Sequence, residues 1–175
     1  MDLPEDARAA LASWREQAFA GRDDVRLVAV ATLHVTLVFL GWMAEKEIPR
    51  IVELTRTAIP ASEPPVLAGA GAKPLPPRRP RLFALDLSDD GGRGVAVQAS
   101  VSDALEAAKL YKPEKRPFWP HITLARVKRN AFAPPLQPDP PPPTEPWQAA
   151  SVTLYRSTLL PQGARYDALE RIPLR

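Results

Sequence analysis

Two histidines stand in nearly identical surroundings and are the residues of this chain best suited to chemistry. Residues 34–37 read His-Val-Thr-Leu and residues 121–124 read His-Ile-Thr-Leu, so the two segments differ by one conservative exchange. The chain has only these two histidines in 175 residues. Two such matches arise by chance on the order of once in ten thousand, and the motif pair is therefore a strong functional signal.

Strand geometry places the imidazole and the hydroxyl of each segment side by side. Side chains alternate along a strand, so His34 and Thr36 project from one face, and His121 and Thr123 do the same in the second segment. The apolar residues between them face the opposite way. Each half of the chain therefore offers an imidazole and a hydroxyl that are backed by an apolar core face.

Two imidazoles and two hydroxyls suit an in-line displacement at phosphorus. Imidazole titrates near pH 6.5, so one ring can accept a proton from water while the other donates one to the leaving oxygen. The threonine hydroxyls would hold the non-bridging phosphate oxygens. A serine nucleophile activated by one histidine would leave the second segment unexplained. The alternative, that each histidine is merely a hydrogen-bonded strand residue, is disfavoured by the repeat.

Composition excludes several other classes of site. The chain has no cysteine, which excludes disulfides, thiolate metal sites, iron–sulfur clusters and cysteine nucleophiles. Two histidines cannot form a three-histidine metal site, and residues 91–94 lack the Lys-Ser/Thr of a phosphate-binding loop. The 23 Lys and Arg against 20 Asp and Glu form no contiguous basic tail, so avid duplex binding is not indicated. We expect neither a metal nor a cofactor.

The N-terminal residues and the longest apolar stretch bear on location. Residues 1–6 are acidic where a signal peptide would be basic. The apolar stretch 27–43 is short for a membrane span and contains Thr32, His34 and Thr36, so we interpret it as strands. We expect a cytoplasmic protein that does not contact a membrane.

The elements that must position the histidines are predicted from periodicity and from helix-start and turn signals. Helices are expected from Leu3 to near Gly21 and over about residues 45–59 and 92–111. Strands are expected over residues 25–30, 34–40, 66–70, 81–87, 119–127, 150–160 and 166–172. The order of these elements predicts an α+β fold with mainly antiparallel pairing. Residues 134–146 contain eight prolines in thirteen positions and predict a polyproline-like linker or surface loop.

The segments around both histidines resemble the paired His-x-Thr-x motifs of the 2H phosphoesterase superfamily. The match is with its RNA 2′,3′-cyclic phosphodiesterase branch, also called the 2′-5′ RNA ligase family. It is carried by residues 33–41 (Leu-His-Val-Thr-Leu-Val-Phe-Leu-Gly) and 118–127 (Phe-Trp-Pro-His-Ile-Thr-Leu-Ala-Arg-Val). Further similarity at residues 3–11, 151–157 and 163–166 extends it over most of the chain.

The resemblance implies a single bilobal domain over residues 1–175, in which two mainly antiparallel sheets face a central cleft and helices pack outside. It implies metal-free hydrolysis of RNA 2′,3′-cyclic phosphate ends, or of small cyclic nucleotides, to 2′-phosphomonoesters. By this resemblance His34 is the proton donor to the departing 3′ oxygen and His121 is the base for water. Thr36, Thr123 and Arg126 would bind the phosphate. Arg126 would point away from His121 on a regular strand, so a bend or bulge must bring it in.

One departure from the family pattern concerns the start of the chain. The family has an apolar strand before the Leu-Pro-Glu helix, and here Met1 and Asp2 stand in its place. If nothing fills the gap, an open sheet edge would favour self-association through the N-terminal lobe. The sequence leaves two alternatives open: a non-catalytic RNA-binding module of the same fold, and a 2′-5′ RNA ligase or phosphodiesterase.

Overall fold

Three helices and two antiparallel sheets make up the fold of the part of the chain that the structure describes. The computed structural model describes residues 1–134, 136, 140–160 and 163–174. The helices are α1 (Glu5–Ala18), α2 (Ile48–Ala58) and α3 (Arg93–Ala107), and short 3₁₀ turns lie at Val30–Thr32 and Glu45–Glu47. All three predicted helices are confirmed. Acidic residues in the first turn of α1 favour its N-terminus, as the sequence indicated.

The strands form one five-stranded sheet and one hairpin. Their bounds are β1 (Val25–Leu27), β2 (Val66–Leu75), β3 (Leu82–Asp90), β4 (His121–Val127), β5 (Trp147–Gln148), β6 (Ser151–Leu160) and β7 (Gly163–Pro173). The larger sheet has the order β1-β4-β3-β2-β5, and β6 pairs with β7. Every pairing is antiparallel. The predicted α+β class with two mainly antiparallel sheets is confirmed.

The predicted strand over residues 34–40 is wrong. His34 and Val35 each make a single β-bridge, to Asp2 and to Ile122 respectively, and residues 36–40 are in neither helix nor strand. A strand needs a partner along its length to bond its N–H and C=O groups. Here Met1 and Asp2 supply such a partner only to the first two residues of the segment, His34 and Val35.

Other predicted boundaries are corrected by the structure. The strand expected over residues 25–30 ends at Leu27, because Val30–Thr32 turns into a 3₁₀ helix. Conversely, β2 and β3 continue to Leu75 and Asp90 because they pair with each other along their length. The short β5 was not predicted. Residues 140–146 are irregular, whereas residues 135, 137–139 and 161–162 lie outside the described part of the chain.

Met1 and Asp2 are hydrogen-bonded between the His34 segment and β6. The Asp2 N–H donates to the Ser151 carbonyl at 2.9 Å, and the Val35 N–H donates to the Met1 carbonyl at 2.9 Å. The Ala150 N–H donates to the Asp2 carbonyl at 3.0 Å. These two residues therefore join the His34 segment to β6, and the edge that would be open if nothing occupied it is bridged over two residues.

The core lies behind the two histidine segments. Val35, Ile122 and Leu124 are fully buried and pack with Leu33 and Phe83 in the main hydrophobic cluster. This confirms that the apolar residues of both segments face inward. A second cluster around Ile51, Val101 and Leu105 joins α2 to α3. No helix among the described residues is long and apolar enough to cross a membrane.

Candidate active site

One cavity of about 210 Å³ gathers all five residues that the sequence singled out. It lies between β1, β4 and the start of β7. Among the described residues, its lining consists of Arg26, Leu27, Val28, Ala29, Thr32, His34, Thr36, His121, Thr123, Arg126, Gly163, Ala164 and Tyr166. The structure therefore brings the two separated segments together at one place.

The two histidines are anchored in the same way. The ring Nδ1 of His34 lies 2.7 Å from the carbonyl oxygen of Thr32, two residues earlier. The ring Nδ1 of His121 lies 2.8 Å from the carbonyl oxygen of Trp119, again two residues earlier. Because a carbonyl only accepts, each Nδ1 must carry the proton and donate it. Each Nε2 is then the nitrogen left for chemistry, as an acceptor in the neutral ring and a donor in the charged one.

The threonines lie beside the histidines, although only one segment is a strand. Thr36 Oγ1 is 3.1 Å from His34 Nε2. Thr123 lies two residues beyond His121 on β4 and lines the same cavity. The Thr123 hydroxyl can therefore meet an anion that contacts the two Nε2 atoms. The Thr36 hydroxyl can do so when His34 Nε2 carries a proton and donates to the Thr36 oxygen.

A β-bulge brings Arg126 to the cavity. Phe83 of β3 pairs with Ala125, but the next residue, Ala84, pairs with Thr123, so Leu124 is an extra residue in β4. Leu124 and Ala125 are consecutive and both buried, which reverses the alternation of the strand. Beyond the bulge Arg126 therefore faces the same way as His121 and Thr123. The bulge that we expected between His121 and Arg126 is therefore present.

Burial shifts the titration of His34. Desolvation lowers its pKa below the usual 6.5, the hydrogen bond to Thr32 opposes this shift, and the charge of the Met1 amino group adds a smaller lowering. In the protein without a bound ligand, His34 is consequently neutral near pH 7 more often than an exposed histidine is. A bound phosphate anion would favour the charged form again, since opposite charges stabilise each other.

Aromatic rings hold both imidazoles. Trp119 stacks on His121 with centroids 4.1 Å apart and an angle of 12° between the ring planes. Tyr166 meets His34 edge-on at 5.2 Å, and Tyr155 lies 5.6 Å from it. These contacts restrict each ring to one orientation. The sequence analysis singled out none of these aromatics. The two-residue spacing of Trp119 from His121 is a signal that could have found it, whereas the contacts of Tyr155 and Tyr166 depend on how the β6–β7 hairpin docks against the His34 segment.

A polar chain behind His121 fixes Trp119. Its indole N–H donates to the Asp86 carboxylate, which also accepts a 2.8 Å bond from Lys73 Nζ. Lys73 Nζ lies 4.5 Å from the centre of the Trp119 ring. Burial opposes the charge of Asp86, but the bonds from Lys73 and Trp119 outweigh it, so the pKa of this carboxyl is lowered. Asp86 thus stays ionised and holds the ring that stacks on His121.

A second carboxylate, that of Asp2, holds the tyrosine side of the site. It accepts hydrogen bonds from Thr153 Oγ1 at 2.5 Å, Tyr155 OH at 2.7 Å and Ser151 Oγ at 2.8 Å. Burial acts against the charge of Asp2, but these bonds prevail and its pKa is lowered. Burial and the bond to Asp2 raise the pKa of Tyr155 to about 12, so this phenol remains a donor.

Replacing Asp2 by alanine is expected to destabilise the fold by about 2–3 kcal/mol, because three hydroxyls lose a charged acceptor. The melting temperature should fall by roughly 5–10 °C at pH 7. Since the folded-state pKa of Asp2 is lowered, its contribution is complete above the unfolded value of 3.8 and is lost as pH falls through the folded value. The difference in melting temperature between wild type and Asp2→Ala should therefore be smaller below pH 4 than at pH 7. Thermal denaturation at these two pH values measures the difference, with the exposed Asp103→Ala as control. A difference that does not change with pH would contradict this account.

No cluster of three or more His, Cys, Asp or Glu side chains suited to a metal ion occurs within the described part of the chain. The donors that line the cavity are instead imidazoles, hydroxyls and guanidiniums. Such a set binds an anion and moves protons.

A family model and several relatives match nearly the whole chain. The model of the 2′-5′ RNA ligase superfamily matches residues 3–160. An RNA 2′,3′-cyclic phosphodiesterase of Thermus thermophilus is 35% identical over 99% of this chain and 87% of its own length. A protein of the same name from Escherichia coli is 33% identical over 98% of this chain and 92% of its own length.

Solved structures agree with these matches. The crystal structure of TT0787 from T. thermophilus superposes with a TM-score of 0.77 and 32% identity, over 99% of this chain and 94% of that one. E. coli LigT in complex with 3′-AMP gives a TM-score of 0.75 and 25% identity over the same shares. The family model and two relatives above 30% identity thus lead to one conclusion: the chain belongs to the 2′-5′ RNA ligase superfamily, a family of 2H phosphoesterases.

Proposed function

We propose that the protein hydrolyses RNA 2′,3′-cyclic phosphate ends to 2′-phosphomonoesters. One observation carries the proposal: two imidazoles with identical Nδ1 anchors line one cavity together with two threonines and Arg126. The printed names of the relatives from T. thermophilus and E. coli support the same activity.

In the proposed reaction, His121 and His34 act on opposite sides of phosphorus. His121 Nε2 takes a proton from the attacking water as the new P–O bond forms. The bond from phosphorus to the 3′ oxygen breaks, and His34 Nε2 gives its proton to that oxygen. The 2′ oxygen keeps the phosphate. Both Nδ1 anchors serve these roles, because a carbonyl acceptor stabilises a protonated Nδ1 in the neutral and the charged ring alike.

The remaining cavity residues stabilise the charge that develops on phosphorus. A cyclic phosphodiester carries one negative charge, and attack by water adds charge to its non-bridging oxygens. Thr36 and Thr123 can donate hydrogen bonds to these oxygens, and Arg126 can donate two parallel ones. Donors fixed in advance by the fold lose little energy to reorganisation, which favours the transition state.

Incubation with 2′,3′-cyclic AMP in excess EDTA tests the reaction and its independence of metal. We expect 2′-AMP as the product, at the same rate with and without EDTA, because the proposed acid, base and anion-binding groups are all side chains. Chromatography against 2′-AMP and 3′-AMP standards identifies the product. Release of 3′-AMP alone would contradict the role of His34, and a strict requirement for a divalent cation would contradict the proposed chemistry.

The same experiment tests one of the two other candidate functions, and an assay with a different substrate tests the second. Binding without turnover is the result expected of a non-catalytic RNA-binding module. Joining or cleavage of 2′-5′ linkages, assayed with 2′-5′-linked oligonucleotides, is the result expected of a ligase or phosphodiesterase of this superfamily.

Three expectations from the sequence stay predictions. They are a single bilobal domain over residues 1–175, a cytoplasmic location, and self-association through the N-terminal lobe. The bridge that Met1 and Asp2 make between His34 and Ser151 reduces the open edge on which self-association depends. Light scattering at high protein concentration measures that association.

A further inference from the structure

A second arginine faces the active-site cavity, on the strand next to the one that carries His121. Arg26 of β1 is directly paired with Arg126 of β4 in the antiparallel register. Both arginines line the cavity. Two like charges placed opposite each other destabilise a sheet, so this pair calls for a ligand that offsets the repulsion.

Neither guanidinium is neutralised by the protein in the part of the chain that the structure describes. No salt bridge or side-chain hydrogen bond involves Arg26 or Arg126 there, although eight other ion pairs occur. The described cavity lining contains no carboxylate either. The two arginines therefore form a positive surface beside the two histidines, and this surface can bind more than one negative charge.

The position of Arg26 differs from that of Arg126. Its guanidinium lies against Gly163 at the start of β7, where a side-chain Cβ would come within 3.0 Å of a terminal nitrogen of Arg26. The absence of a side chain at Gly163 thus leaves room for this guanidinium between β1 and the hairpin. β1 is the edge strand of the sheet, about 4.8 Å farther out than β4. Arg126 is accordingly on the strand of the reacting phosphate, and Arg26 is at the rim.

We propose that Arg26 is a subsite for the phosphate on the 5′ side of the terminal nucleotide. The proposal rests on the proposed function, which places the 2′,3′-cyclic phosphate of that nucleotide at His34 and His121. In an RNA chain, the terminal nucleotide is joined to its neighbour through this 5′ phosphate. A nucleoside 2′,3′-cyclic phosphate has only a hydroxyl there. Arg26 therefore favours RNA ends over cyclic mononucleotides that lack a 5′ phosphate.

Three substrates and two variants test the subsite. The substrates are 2′,3′-cyclic AMP, its 5′-phosphorylated form and the dinucleotide ApA with a terminal 2′,3′-cyclic phosphate. Arg26→Gln is expected to raise KM about 10-fold for the two substrates that carry a 5′ phosphate, at low ionic strength, because one charge-assisted contact is lost. KM for 2′,3′-cyclic AMP should change less than twofold. Arg79→Gln, which replaces an exposed arginine outside the cavity, is the matched control and should alter none of the three.

Each other outcome has a definite meaning. An equal rise for all three substrates would place Arg26 on the reacting phosphate and overturn the proposal, as would no change with any substrate. A rise for the dinucleotide alone would point to the added nucleoside, and this too would overturn it. Hydrolysis of 2′,3′-cyclic AMP by the wild type tests the proposed function separately. If the wild type binds these compounds without turnover, calorimetry gives Kd for each compound, and the same changes between wild type and Arg26→Gln are expected in Kd.

Discussion

Replacing either His34 or His121 by alanine is expected to lower the turnover of 2′,3′-cyclic AMP by about 10²- to 10⁴-fold, since each variant loses a proton-transfer group. The fold should survive, because both rings line a cavity and the residues that pack behind them are Val35, Ile122 and Leu124. Turnover by the purified variants and their melting temperatures measure both effects.

The double variant provides a control for this interpretation. Groups that act as a unit show non-additive losses, so the variant that lacks both histidines should be only slightly slower than the slower single variant. Near wild-type turnover by either single variant, with its fold intact, would rule out the two-histidine mechanism.

Replacing Arg126 by alanine is expected to reduce kcat/KM by about 10²-fold, as removal of one preorganised donor to a developing oxyanion does elsewhere. Arg126→Lys should recover part of the loss, because it restores the charge but not two parallel hydrogen bonds. Steady-state kinetics with 2′,3′-cyclic AMP measures both variants.

Arg129→Ala is a suitable control for Arg126, because Arg129 is exposed just beyond β4 and does not line the cavity. It should leave kcat/KM unchanged. Equal losses in Arg126→Ala and Arg129→Ala would show that general surface charge, and not a contact at the site, is responsible.

The faces of the two histidine segments could be predicted from the sequence, because alternation alone separates cavity from core. It placed Val35, Leu37, Ile122 and Leu124 inward. Three of them are fully buried, and Leu37 is partly buried against the main hydrophobic cluster. Alternation could not predict that residues 36–40 lack the hydrogen bonds of a β-ladder, because those bonds depend on a partner strand. The same apolar pattern is satisfied there by packing, as Val38 and Leu40 contact the cluster between α2 and α3.

The position of Arg126 shows how far sequence reasoning extends at the site. The sequence required a bulge between His121 and Arg126 but did not specify the residue. The two adjacent apolar residues Leu124 and Ala125 indicate the position of the bulge, because in a regular strand one of two consecutive side chains would face the cavity.

Residues that support the site from distant segments could not be predicted from the sequence. Arg26 reaches the cavity only through the β1–β4 register, and the contacts of Tyr155 and Asp2 depend on how β6 docks against the N-terminal residues. Such pairings are set by the whole fold, and no local spacing in the sequence encodes them.

The pH dependence of kcat/KM in the two single-histidine variants tests the proposed roles most directly. Wild type should give a bell-shaped profile centred between about pH 5.5 and 7.5. Because burial lowers the pKa of His34, the rate remaining in His121→Ala should fall as pH rises through a value below 6.5, where His34 loses its proton. The rate remaining in His34→Ala should not show this fall, because the group that loses its proton is absent and His121 still acts as the base. The fall in His34→Ala and its absence in His121→Ala would contradict the assigned acid and base, and unchanged bell-shaped profiles in both variants would contradict the two-histidine mechanism itself.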